Sequence, residues 1–511
     1  MVKKLFKLVF SRVVIVGLLL LVQVVWLFLF FLELVEYSAS INILLNLISL
    51  IAVLYIINCP DNPAFKMAWA IAILVFPVLG GLMYLTLGSK RPTKRLRRIL
   101  EQSDRQLRPL LVQEQTIVEE IKQEDAVAAG QMHYIRKCAG YPVYEGTTAT
   151  YFKSGEENFP ILLQELKKAK HFIFMEYFIV EEGEMFDAIL EVLKEKVAEG
   201  VDVRFIYDDF GSVTVLPYKY YERMERSGIQ CEAFNKFIPI FSLVMNHRDH
   251  RKITVIDGHT GFTGGINLAD EYINRKERFG YWKDTGIMLK GEAVWNLTAM
   301  FLTVWNAVRP TDKDFREFMP RRYYEKDFPS DGYVQPYGDS PLDNETVGEN
   351  VYLNMIHASQ QYIYMCTPYL IIDNEMMTAL CLAAKRGVDV RIVTPNVPDK
   401  KIVFWLTQSY YPQLLKSGVK IYQFTPGFIH AKCFVCDDKY ATVGTINMDY
   451  RSLYLHFECG VFLYRSTAIM KIKEDALETI AKSCLVTEKM IQKRLPIRLA
   501  QALLRVLAPL F

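Results

Sequence analysis

Two short stretches carry residues that could work on a phosphate. The first is His250-Arg251-Lys252-Ile253-Thr254-Val255-Ile256-Asp257, with Gly264-Gly265-Ile266-Asn267 close behind. The second stands 180 residues later: His430-Ala431-Lys432-Cys433-Phe434-Val435-Cys436-Asp437, then Gly444-Thr445-Ile446-Asn447. An imidazole can attack phosphorus or carry a proton, an ammonium supplies counter-charge, and a carboxamide donates hydrogen bonds. A phosphodiester is a poor electrophile, so displacing an alkoxide needs help on both sides. One neutral histidine can attack while the other, protonated, hands a proton to the leaving oxygen. The pair must hold different protonation states at one pH, which requires unequal surroundings. Lys252, Lys432, Asn267 and Asn447 would hold the equatorial oxygens and offset their charge.

These residues need elements to position them. Each stretch reads as a β-hairpin, with His and Lys two apart on one strand face and Asp257-Gly258 or Asp437-Asp438 at the turn. A turn of about four residues would set Asn267 opposite His250 and Asn447 opposite His430. Asp257 and Asp437 belong to the repeated catalytic motif, yet their turn context suggests that they brace the hairpin. Asp284 and Glu458 hold matching places after the two hairpins, and a carboxylate against the remote ring nitrogen would fix the tautomer of each histidine. His133, His171, His247, His259, His357 and His456 lack a partner motif and read as structural.

The repeat extends well beyond the hairpins. Phe172-Ile-Phe-Met pairs with Tyr362-Ile-Tyr-Met, Gly200-Val-Asp-Val-Arg204 with Gly387-Val-Asp-Val-Arg391, and Ser227-Gly228 with Ser417-Gly418. Asp284-Thr-Gly286 pairs with Glu458-Cys-Gly460. Strands alternate with helices in each half, which predicts α/β sandwiches built on largely parallel sheets. A pseudo-twofold relation between the halves would bring the hairpins face to face. The expected divisions are an α-helical membrane anchor over 1–88, a basic helical connector over 89–131, the first half over 132–310, a linker over 311–345, the second half over 346–488 and a tail over 489–511.

Composition adds limits. A net charge of +3 over 511 residues does not announce a nucleic-acid binder. Nine cysteines in mostly apolar runs suit reduced, buried thiols, and Cys433 and Cys436 would point to opposite strand faces rather than share a metal. The apolar runs Val13–Leu32, Ile41–Ile57 and Met67–Leu87 predict two or three membrane helices, hence a multi-pass protein of the cell membrane. The basic block from Lys90 to Arg98 favours a cytoplasmic side for the large domain. Phe237 to Met245, present only in the first half, reads as a core loop or as a loop that dips into lipid. In the tail, Arg494, Arg498 and Arg505 share one helical face and Leu499, Leu503, Val506 and Leu510 another, a pattern suited to an anionic membrane surface.

The doubled His-x-Lys-x4-Asp motif with Gly-Gly or Gly-Thr and Asn downstream resembles the phospholipase D superfamily. With the apolar N-terminus and Gly444-Thr-Ile-Asn-Met-Asp449-Tyr-Arg451-Ser452, the chain is similar to bacterial cardiolipin synthases from about Met67 to its end. The resemblance implies two phospholipase D-like αβα sandwich domains. It also implies transfer of a phosphatidyl group from one phosphatidylglycerol to another, giving cardiolipin and glycerol through a phosphohistidine. On that likeness His250 is the nucleophile and His430 the acid, then the base; no metal or other cofactor is required. The same residues would serve a membrane-bound hydrolase, or a transferase using another acceptor alcohol. A nuclease fits the apolar runs poorly, and a non-catalytic scaffold would have little reason to carry both sets.

Overall fold

The structure, a computed structural model, describes residues 39–76, 80, 81, 83–88, 94–236, 247–343, 345–491 and 494–510, plus single positions at 21, 25, 28, 29 and 32. The first predicted membrane run, apart from those positions, and the loop Phe237 to Met245 lie outside the described residues, as do residues 90–93 of the basic block.

Two sheets form the body. The first contains β1 (Thr147–Phe152), β2 (Phe172–Tyr177), β3 (Asp202–Asp208), β4 (Gln230–Phe234), β5 (Lys252–Ile256) and β6 (Thr260–Gly264). A short β7 (Tyr281–Lys283) stands outside it, and β8 (Gly286–Gly291) completes it in the order β1-β8-β6-β5-β2-β3-β4. The second uses β9 (Tyr333–Asp339), β10 (Tyr362–Cys366), β12 (Asp389–Pro395), β13 (Lys420–Phe424), β15 (Cys433–Cys436), β16 (Tyr440–Gly444), β18 (Glu458–Tyr464) and β19 (Ser483–Leu485). Short β11 (Leu370–Ile371), β14 (Gly427–Ile429) and β17 (Met448–Asp449) lie apart from it. Its order, β19-β13-β12-β10-β15-β16-β18-β9, repeats the first sheet strand for strand, with β19 added.

The sheets are mixed, which corrects the largely parallel expectation. Only β2, β3 and β4, and likewise β10, β12 and β13, run parallel. Helices such as Glu184–Ala198 and Asn374–Lys385 link these strands, because parallel neighbours need a long crossover. The motif hairpins return through tight turns and are therefore antiparallel, and the strands after them, β8 and β18, come back antiparallel through longer connections. Tyr333–Asp339, within the stretch read as linker, pairs along the whole edge of β18.

One hydrophobic core joins the halves. Val255 and Leu289 from the first share it with Val435 and Val461 from the second, and the buried helix Val294–Val308 contributes Trp295, Phe301 and Trp305. Backbone bonds also cross between them. β7 pairs in parallel with β14, and Asp249 bridges Phe457. All nine cysteines are free and six are buried, Cys433 and Cys436 among them.

The N-terminal helix Ala39–Asn58 leaves Ile43, Leu47, Ile51 and Leu54 exposed. The next, Pro63–Val75, anchors to the second half where Phe65 meets Tyr450 and Tyr454 edge-on, at centroid separations of 5.6 and 5.4 Å. Among the described residues no helix is long and apolar enough to cross a membrane.

Candidate active site

Both motif histidines sit just before a strand, His250 ahead of β5 and His430 ahead of β15. The hairpin turns hold three residues rather than four, since Ile256 pairs with Thr260 and Cys436 with Tyr440. The register is thereby offset by one residue. Extended outward, it sets Ile266 and Ile446, not the asparagines, opposite the histidines.

The main chain of each half holds the other half's histidine. The His250 amide donates to the Phe457 carbonyl at 2.9 Å, and the His430 amide to the Lys283 carbonyl at 2.7 Å. Phe457 and Lys283 immediately precede Glu458 and Asp284, so the carboxylates arrive exchanged. Glu458 lies 2.9 and 3.0 Å from Nδ1 of His250, and Asp284 lies 2.6 Å from Nδ1 of His430. Where the carboxylate is ionised it only accepts, and Nδ1 then carries the hydrogen while Nε2 keeps its lone pair. The expected orienting acids are in place, each serving the opposite half.

The two lysines complete a closed cationic centre. Lys252 and Lys432 are buried, and each ammonium donates to the carbonyl of its own motif histidine. Lys432 also lies 2.7 Å from Nδ1 of His430. Burial, reinforced by the other lysine, pushes Lys252 down to about 7 against the pull of Glu458. Burial likewise pushes Lys432 down to about 8. His250 falls well below its ordinary value through burial and the charges of Lys252, His456, Lys432 and His430. Burial and Lys432 bring His430 down to about 4, opposed by Asp284. Glu458 rises to about 8 through burial, opposed by Lys252 and by the Thr445 hydroxyl that donates to it. An anion entering this space would restore charge balance to groups that burial has discharged.

The halves are not identical at the centre. At the place of Thr445 the first half has Gly265, where a Cβ would lie 2.0 Å from Asp284 Oδ1. Trp282 and His456 occupy matching positions, two residues before Asp284 and Glu458. Trp282 packs 5.6 Å from His430 and His456 5.7 Å from His250. Both ring nitrogens of His456 are buried without a hydrogen bond, and Nδ1 lies 3.9 Å from Glu458. Reading His456 as structural therefore missed a neighbour of the motif histidine; its parity with Trp282 in the repeat was the available signal. Phe178 closes the other side of His250 at 4.9 Å. A buried network of Arg251 with Asp249 and Glu176 supports only the first half, since Ala431, Ile429 and Cys366 stand there in the second.

The remaining predicted residues fall into two groups. Asn267 and Asn447 are buried near the centre, but Asn267 donates to Tyr272 Oη at 2.7 Å and accepts from the Ile179 amide at 3.0 Å. Asn447 Oδ1 is buried without a partner. Asp257 and Asp437 lie at the far ends of their strands. Asp257 accepts from the amides of Lys170, His171 and Phe172 at 2.8–2.9 Å. Asp437 does the same for Gln360, Gln361 and Tyr362 at 2.6–2.9 Å. Both take positive φ, 48° and 53°, which the turn demands and Asp tolerates. Three groups could face a cation, since ligand atoms of His250, His456 and Glu458 lie within 4.8 Å of one another. A metal there would compete with the bond that sets the His250 tautomer.

A family model described as "Cardiolipin synthase, PLD-like domain" matches residues 162–296 and 352–479, one segment in each half. Another, "Phospholipase_D-nuclease N-terminal", matches residues 47–89. A protein of Streptococcus mutans described only as uncharacterized is 44% identical over 460 residues, covering 90% of this chain and 99% of that one. A cardiolipin synthase of a Geobacillus species is 35% identical over 468 residues, covering 90% and 92%. The crystal structure of a phosphatidylserine synthase from Haemophilus influenzae shares the fold, with a TM-score of 0.52 at 16% identity over 71% of this chain and 93% of that one. This chain belongs to the cardiolipin synthase family of phospholipase D-like phosphatidyltransferases.

Proposed function

We propose that the protein joins two phosphatidylglycerol molecules into cardiolipin and releases glycerol, by two displacements at one phosphorus. The carrying observation is the exchanged pairing of Glu458 with His250 and Asp284 with His430 around two buried lysines. Nε2 of His250 attacks the donor phosphorus, and glycerol leaves with a proton from Nε2 of His430. The hydroxyl of the second phosphatidylglycerol then gives its proton back to His430 and displaces His250. One P–O bond breaks and one forms, so the bond energy is conserved between the two diesters and no cofactor is called for. The asymmetry supports these roles. Burial and the neighbouring lysines keep His250 neutral, as a nucleophile must be; burial and Lys432 hold free His430 down to about 4, so it must take up its proton together with the phosphate, and Asp284 favours that protonated form. Lys252 and Lys432 offset charge on the equatorial oxygens, and Asp257 and Asp437 brace the two domains, about 132–310 and 346–488, the second completed by the edge strand Tyr333–Asp339.

The substrates are lipids, so the protein works at the cell membrane. Exposed aliphatic side chains on Ala39–Asn58 and the apolar run before it suit insertion in more than one pass, and the basic stretch from Lys90 to Arg98 suits a cytoplasmic catalytic body. The test is to supply phosphatidylglycerol vesicles and analyse the products. Cardiolipin and glycerol in equal amounts support the transferase; phosphatidic acid without cardiolipin identifies a hydrolase.

A further inference from the structure

The helix Leu495–Leu507 carries leucines at every fourth position, Leu495, Leu499 and Leu503. Against a water-soluble body such a stripe turns inward. Here it turns outward, and the three leucines are 67%, 63% and 63% exposed. Ile402 and Trp405, on the neighbouring helix Lys401–Lys416, are exposed as well. The opposite stripe faces the protein. Gln501 is buried and donates to the Trp405 carbonyl at 3.0 Å, and the Arg505 guanidinium lies 4.5 Å over the Tyr410 ring.

Between this stripe and Lys401–Lys416 runs a groove of about 340 Å³. Arg498 and Arg505 line it with Gln408, Ser409, Gln413 and Gln423, and among the described residues no carboxylate lines it. Two guanidiniums beside amide and hydroxyl groups, in a groove otherwise lined by apolar residues such as Val486 and Ile491, meet no carboxylate among the described residues, and that combination matches a phosphate. The leucine stripe beside it needs an apolar medium. A bilayer phospholipid supplies both, its phosphate at the headgroup level and its chains below.

We propose that this groove binds the phosphodiester of an anionic membrane phospholipid, a holding site separate from the His250–His430 centre, with the acyl chains against Leu495, Leu499 and Leu503. The proposal rests on the membrane-lipid reading above but not on the reaction. The full-length protein carrying His250→Ala, so that nothing turns over, is titrated with phosphatidylglycerol in zwitterionic micelles, and bound lipids are counted by native mass spectrometry. Arg498→Gln with Arg505→Gln is expected to bind one lipid fewer than this parent. Arg498→Lys with Arg505→Lys, which keeps the charge, is expected to recover it in part. Lys167→Gln with Lys471→Gln, a charge-matched pair elsewhere on the surface, is expected to lose none. An unchanged count in the glutamine variant overturns the proposal, as does an equal loss in the control pair. Absence of cardiolipin synthesis by the native protein would count against the catalytic reading and leave this lipid count untouched.

Discussion

Asp284 from the first half bonds His430 from the second at 2.6 Å, and Glu458 returns the contact to His250. Neither half is a complete site, because each lends the carboxylate that fixes the other's imidazole. The pseudo-twofold arrangement is thus part of the chemistry as well as of the fold.

Removing either carboxylate should therefore damage the opposite half. Asp284→Asn and Glu458→Gln are each expected to lower kcat by about 10²- to 10⁴-fold, the range seen when a histidine loses its orienting acid. The two lesions should separate on a diester with an acidic nitrophenol leaving group, which needs no proton. In the first step, read as the burst of nitrophenol, Asp284→Asn should recover most of its rate and Glu458→Gln should not. Equal recovery would contradict the assignment of His430 as the acid.

Gly265 tests how closely Asp284 is held. A methyl group at that position would meet its carboxylate at 2.0 Å. Gly265→Ala is expected to cost about 1–3 kcal/mol in stability and to reduce turnover as Asp284→Asn does. A fully active Gly265→Ala protein would show that Asp284 has room to move without consequence.

The motif aspartates should behave differently. Asp257→Ala removes the acceptor for three backbone amides, which is expected to cost about 2–4 kcal/mol in stability. The fraction that remains folded should turn over at a near-normal rate. Chemical denaturation paired with active-site-normalised kinetics checks this. A large fall in kcat without loss of stability would place Asp257 in the chemistry.

The lysines predict a pH dependence whose sign follows from burial. Lys252, held down to about 7, is cationic below that pH and loses its charge above it. Lys432 follows at about 8. A bound phosphate favours the cation and raises both values. Accordingly kcat/KM, which reports the free enzyme, should fall above about pH 7, while kcat should hold to higher pH. Lys252→Arg, charged throughout this range, should be slower but should lose that part of the alkaline limb.

Much of this was legible from residue types and spacing. The duplication located both hairpins, both lysines and the two carboxylates, because chemistry restricts those positions to a few side chains. Pairing between the halves was not legible. Period-two strand patterning tells which face Lys252 occupies, but nothing local connects Glu458 to a histidine 208 positions away. The mixed sheets were missed because helices between the first strands of each half suggested crossovers throughout. The asparagine register was missed by one turn residue. The tail helix looked like an ordinary amphipathic segment, and only packing revealed that it docks through Gln501 and Ala508 and leaves its leucine stripe exposed.

The central claim is a covalent intermediate on His250, and trapping it is the most direct test. His430→Ala, given a phosphatidyl diester with an acidic nitrophenol leaving group, should form the intermediate and fail to discharge it to an alcohol, for want of a base. Peptide mass spectrometry after rapid quenching is then expected to find a phosphatidyl group on His250, absent from the double variant that also carries His250→Ala. A label on another residue, or multiple turnovers in that double variant, would contradict the account.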